Sequence, residues 1–234
     1  MSGVAMNMHG ILLILGWLCG GGAFGLALWL GMRALLPEER ALPPDWRLPG
    51  LVAAAAMVAL TAFAEQLAGL GLAMFIVAAS TLLAVSAVDL RWHIIPDSVL
   101  GAGSAGLLVV WGLAAAEVWA GKNPAAVPTS PARALAMGLA GMLFLGGLLF
   151  AVHVASGGRG LGMGDVKLGG FIGLLLGPLA GLWALFWGAL AGAMAAVLML
   201  GLRWRRMGDA IPYGPFLALG AIIVLCTSGS ILLP

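Results

Sequence analysis

Asp89, Asp97 and Asp165 are the residues best suited to chemistry in a 234-residue chain of which only 9% is charged. They stand in two short stretches, VDLRWHIIPD at 88–97 and GMGDVKL at 162–168. Two carboxylates a few ångströms apart cannot both ionise easily and tend to share one proton. The ionised member can take a proton from water while the protonated member polarises a peptide carbonyl. Gly160, Gly162 and Gly164 precede Asp165, and their missing side chains would let an extended peptide backbone approach. Lys167 could neutralise such a site or bind a lipid phosphate. Read alone, the second stretch equally describes an aspartate that caps a helix and a lysine that anchors it at a membrane surface. Asp97, followed by Ser98, suits a helix N-cap.

Seventy-six residues separate Asp89 from Asp165, so the chain's larger elements must bring them together. Hydrophobic residues make up 62% of the sequence, and 37 residues are glycine. Soluble domains carry roughly 25% charge, so lipid must be the solvent for most of this chain. Small residues let membrane helices pack closely, and the length of the apolar stretches favours helices over barrel strands. The expected fold is all-α and polytopic, with about eight transmembrane or re-entrant helices at 9–32, 48–66, 68–88, 98–119, 132–153, 167–177, 179–201 and 211–231. The run 48–88 is too long for one crossing of ~20 residues, and Glu65, Gln66 and Gly69 mark its break. Segment 167–177 is short, ended or kinked by Pro178, and fits either a tilted span or a re-entrant piece.

Arginine and lysine set the sides. Loops 33–47, 89–97, 154–166 and 202–210 carry Arg33, Arg40, Arg47, Arg91, Arg159, Arg203, Arg205 and Arg206. With eight segments all four loops face the cytoplasm, and the other side receives only Lys122 and Arg133. The N-terminus lacks the basic region of a secretory signal and reads as a first membrane helix. Asp89 and Asp165 then meet at one membrane face. A third stretch on that face, DAIPYGPFLALG at 209–220, supplies an irregular helix entrance. Such backbone is tolerated in a membrane only where protein or a cavity satisfies it, so it is expected to wall the site.

The remaining polar residues point elsewhere. Glu38, Glu39 and Asp45 share a proline-bearing loop with three arginines and read as solvated; Glu117 sits near a helix end. Cys19 and Cys226 form no CxxC and indicate no zinc site. His9 and His153 are isolated, and His93 beside Trp92 reads as a surface histidine. A net charge of +2 is too small and scattered for nucleic-acid binding. Asp89, Asp97 and Asp165 could alternatively hold a divalent cation or line a proton or ion path, although transport sites typically lie near the midplane.

Three stretches together, VDLRWHIIPDSVL at 88–100, GLGMGDVKLGGFIGLLLG at 160–177 and IPYGPFLALG at 211–220, resemble the type IV prepilin leader peptidases, a bacterial group of GxGD membrane aspartic proteases. Their order, spacing and membrane position agree over roughly residues 80–225. The resemblance implies catalytic Asp89 and Asp165, with Asp97, Gly162, Gly164, Lys167, Pro212, Gly214 and Pro215 in supporting or substrate-binding positions. Tyr213 stands where the family often has phenylalanine. The implied activity is removal of the short basic leader from prepilins or pseudopilins after a glycine, at the cytoplasmic face of the inner membrane, with no metal or organic cofactor. Expected partners are that substrate and membrane lipid. Many relatives carry a cysteine-containing cytoplasmic domain linked to N-methylation; loop 33–47 has no cysteine, so only the peptidase is expected here. The expected division is residues 1–67 as reduced N-terminal helices and 68–234 as the peptidase core.

Overall fold

A computed structural model describes residues 70–120, 130–158, 160–202 and 212–227, all within one compact unit spanning Gln66–Pro234. Five helices carry these residues: α1 (Leu70–Trp92), α2 (Asp97–Trp119), α3 (Pro131–Ala155), α4 (Met163–Gly201) and α5 (Gly214–Thr227). No strand occurs among the described residues. Helices α1 to α4 are each long and apolar enough to cross a membrane, and α5 is a shorter apolar helix. The protein is therefore all-α and multi-pass. Segments 9–32 and 48–66, Glu65 and the arginines at 159, 203, 205 and 206 lie outside the described residues, so the count of eight rests on the sequence.

Helix ends differ from the expected boundaries for physical reasons. α1 runs on through Asp89 to Trp92, with the Asp89 carboxylate buried and paired to the Gly214 N–H and Arg91 exposed. It stops where His93 takes a left-handed φ of 55°, its N–H donating to the Asp89 carbonyl at 2.8 Å. Asp97 is the first residue of α2 and not its N-cap; Pro96 holds that position without a side-chain bond. α3 starts with Ser130 accepting the Arg133 N–H at 3.3 Å and with Pro131 in the first turn, where its missing N–H costs nothing.

The long α4 is two arms. Gly177 has φ 75° and ψ −179°, a conformation essentially restricted to glycine, and Pro178 follows. A Cβ on Gly181 would lie 3.6 Å from the Gly173 Cα, whereas residues eight apart on a straight helix are ~12 Å apart. The chain folds back at Gly177. The first arm, 163–176, is about 21 Å long, short of the ~30 Å hydrocarbon core, and every residue from Leu168 to Gly177 is buried. The short sixth segment is thus a helix clad in protein.

Glycine and small residues set the packing. Gly141 on α3 lies against Gly173 on the first arm, Gly220 on α5 against Ala184 and Gly188 on the second arm, and Gly103 on α2 against Thr81 on α1. Leu143, Leu179 and Val197 point outward, as lipid-facing residues do.

Candidate functional site

Asp89 lies one turn before the end of α1 and is 5% exposed. Its Oδ2 accepts a hydrogen bond from the Gly214 N–H at 3.0 Å, across 125 residues of sequence. Gly214 opens α5, so the carboxylate occupies a helix N-terminus, where unpaired N–H groups and the helix dipole favour negative charge. A Cβ on Gly214 would come within 2.7 Å of that oxygen, so only glycine permits this approach. Pro215, second in α5, has no N–H to lose, and the Tyr213 carbonyl accepts from Phe216 and Leu217 N–H at 3.1 and 3.2 Å. Pro212 and Tyr213 lead into α5 from outside the helix.

Asp165, half-buried, is the third residue of α4, and its Oδ2 accepts the Gly162 N–H at 3.1 Å. This is the reach-back arm of a capping box; Gly162 has no side chain to return the bond. Asp89 and Asp165 are near enough to interact electrostatically. Tyr213, just outside α5, completes the group: burial first and the Asp165 charge second push its phenol above the ordinary value of 10.0. Residues from all three sequence stretches therefore converge on one end of the bundle.

Gly164 contributes differently from what the sequence suggests. A Cβ there would meet the Ile95 Cβ at 3.0 Å, so the missing side chain admits the protein's own 93–96 connection. Lys167 ties to Asp97, with Nζ 2.7 Å from both carboxylate oxygens, and links α4 to α2. Both side chains are substantially exposed, 48% and 70%, so water screens the pair to about 0–1 kcal/mol. Asp97 is thereby engaged away from a three-carboxylate cluster. Among the described residues no group of three or more His, Cys, Asp or Glu could hold a metal ion.

Two histidines carry more than the sequence reading allowed. His153 Nδ1 meets the Leu161 carbonyl at 2.7 Å, which requires a proton on Nδ1, and its ring stacks on Phe150 at 6.3 Å. With Gly157 and Gly158 at φ 61° and 75°, it shapes the turn that delivers Gly162 and Asp165. The only signal in the sequence was a histidine a few residues before a glycine-rich turn. His93 lies near enough to Asp89 for their charges to interact.

A bundle of apolar helices with two carboxylates anchored at one end defines a polytopic membrane protein with a candidate acid pair. The chain is 30% identical over 180 residues to the prepilin leader peptidase/N-methyltransferases of Burkholderia pseudomallei strains 1026b and K96243, a match covering 75% of this chain and 51% of each relative. This likeness supports the prepilin peptidase family. The chain spans about half the length of the curated relatives it matches. No family model matches it, and no solved structure does.

Proposed function

We propose that this protein is a membrane aspartic endopeptidase that removes the basic leader of prepilin-like substrates at the cytoplasmic face of the bacterial inner membrane. The observation that carries this reading is the acid pair. Asp89 and Asp165 come from distant stretches to one end of the bundle, and a backbone N–H fixes one oxygen of each: Gly214 of the third stretch for Asp89, and Gly162 of its own stretch for Asp165. A pair so held is set for general acid–base work, because its oxygens need not reorganise during reaction.

The chemistry follows from the shared proton. The ionised carboxylate accepts a proton from water, whose oxygen attacks the scissile carbonyl carbon. The protonated carboxylate donates to the carbonyl oxygen. The tetrahedral species then collapses: the C–N bond breaks, the leaving amine takes the proton held by the first carboxylate, and one hydroxyl proton returns to the second carboxylate as the C=O re-forms. Proton transfer of this kind contributes typically 10²–10⁴-fold. Tyr213, kept protonated by its surroundings, is available as a hydrogen-bond donor beside Asp165.

The test is a fusion carrying a short Lys/Arg-rich leader ending in glycine ahead of a ~20-residue apolar segment, expressed together with this chain in bacterial membranes. Expected is a shortened product whose mass places the cut after the glycine. A full-length fusion beside correctly inserted protein contradicts the peptidase reading. The same mass measurement reports whether the new terminus is methylated, an activity this reading does not claim.

A further inference from the structure

Beside the carboxylates lies a cavity of about 600 Å³ between α2, α3 and the first arm of α4, with charged residues only at its mouth. Asp97 and Lys167 form that mouth, and Gly101, Ser104, Gly146 and Gly147 line the interior. Along α2 it runs from Asp97 to Ser104, about 10 Å in depth, roughly a third of the hydrocarbon core. Among the described residues a Cβ on Gly101 or Gly147 would meet no atom within 4 Å, whereas one on Gly103 or Gly141 would press against a neighbouring helix.

We propose that this groove receives the apolar helical segment of the peptide substrate. The proposal deepens the peptidase reading and rests on it. Three features select this occupant. Val166 and Lys167 of the wall directly follow Asp165, so a chain lying in the groove emerges next to the acid pair. Glycines on three facing helices let a partner backbone come close, the surface membrane helices use for one another; a single acyl chain has no need of it. The mouth also offers the substrate's cations an acid. Asp97 is the one acid in the wall, and its exposed bridge to Lys167 holds by only about 0–1 kcal/mol. A cation of the leader therefore displaces Lys167 from Asp97 at little cost, while the apolar continuation enters the groove.

The experiment has two arms, both using the full chain in membranes and the basic-leader fusion. In the first, Gly101→Leu and Gly147→Leu narrow the groove at positions where an added Cβ has open space, and Val197→Trp on the outer face is the control. Expected is a KM at least tenfold higher for both groove variants, a kcat within about twofold, and an unchanged control. In the second, Gly101→Cys or Gly147→Cys in an Asp165→Asn, Cys19→Ala, Cys226→Ala background is crosslinked to single cysteines along the fusion's apolar segment. Expected is a crosslink with helical periodicity. Unchanged KM in the groove variants together with no crosslink overturns the proposal while leaving the peptidase reading intact. Loss of bound phospholipid from the Leu variants by native mass spectrometry, with KM unchanged, makes the groove a lipid site and also overturns it. If the wild type cleaves nothing, the peptidase reading fails, and the crosslink alone supports or overturns the groove.

Discussion

At Gly214 a single methyl group decides how near Asp89 can come. A Cβ there would press to 2.7 Å of Asp89 Oδ2 and break the bond that holds the carboxylate. Gly214→Ala is expected to cost about 1–3 kcal/mol, the desolvation penalty of a buried acceptor left unpaired, seen as a lower melting temperature in detergent. Cleavage should fall by more than tenfold. Tyr213, the chain's one tyrosine, allows a direct view of the site. Its raised phenol pKa means that folding favours the protonated form. That stabilisation is complete below pH 10 and is lost as pH rises through the folded-state value. A ¹³Cζ-tyrosine NMR titration should show a midpoint above 10, and Asp165→Asn should lower it by removing the neighbouring negative charge. An unmoved midpoint would separate Tyr213 from Asp165. The aspartates themselves were legible in the sequence, because charge is so scarce that each acid stands out. The partners of Asp97 and Gly164 were not. Nothing in the letters says that Lys167 turns to Asp97 or that Ile95 fills the space at Gly164, since both contacts depend on how helices cross.

At the scale of the elements, the break at Gly177 turns α4 back on itself and presents its first arm, with Asp165 at the tip, to the rest of the bundle. Gly177→Ala forces a side chain into a conformation essentially closed to it and should cost about 1–3 kcal/mol, measurable as an earlier thermal transition. If stability is unchanged, the reversal is not held by that residue. The Asp97–Lys167 bridge should matter far less to stability. Lys167→Ala is expected to change it by no more than about 1 kcal/mol, and a loss of several would mean the pair is shielded from water. Apolar length and Pro178 revealed two segments at 167–177 and 179–201, and the structure has two arms. Their polar ends were read too short. Apolar length stops α1 at Val88 and begins α4 at Lys167, whereas Asp89 and Asp165 both lie within helices. Apolar counting misses a helical residue whose polarity is satisfied by a backbone N–H, from distant Gly214 for Asp89 and from nearby Gly162 for Asp165.

Across the whole molecule, scarce charge and abundant glycine led to an all-α membrane bundle, and four span-length helices plus α5 bear out that class. Sidedness was readable from arginines only as a pattern over loops. The convergence of three stretches on one end is its structural counterpart among the described residues: Gly214 reaches Asp89, Lys167 reaches Asp97, and Ile95 reaches Gly164. The central claim is that Asp89 and Asp165 act together as the hydrolytic pair. It is tested most directly by measuring leader removal from the fusion in membranes for wild type, Asp89→Asn and Asp165→Asn at matched abundance. Each substitution keeps the side-chain shape and removes one proton-transfer group, so each should lower the cleavage rate at least ~100-fold, and the double variant should be no slower than the worse single one. Wild-type cleavage by either properly inserted variant would contradict the account.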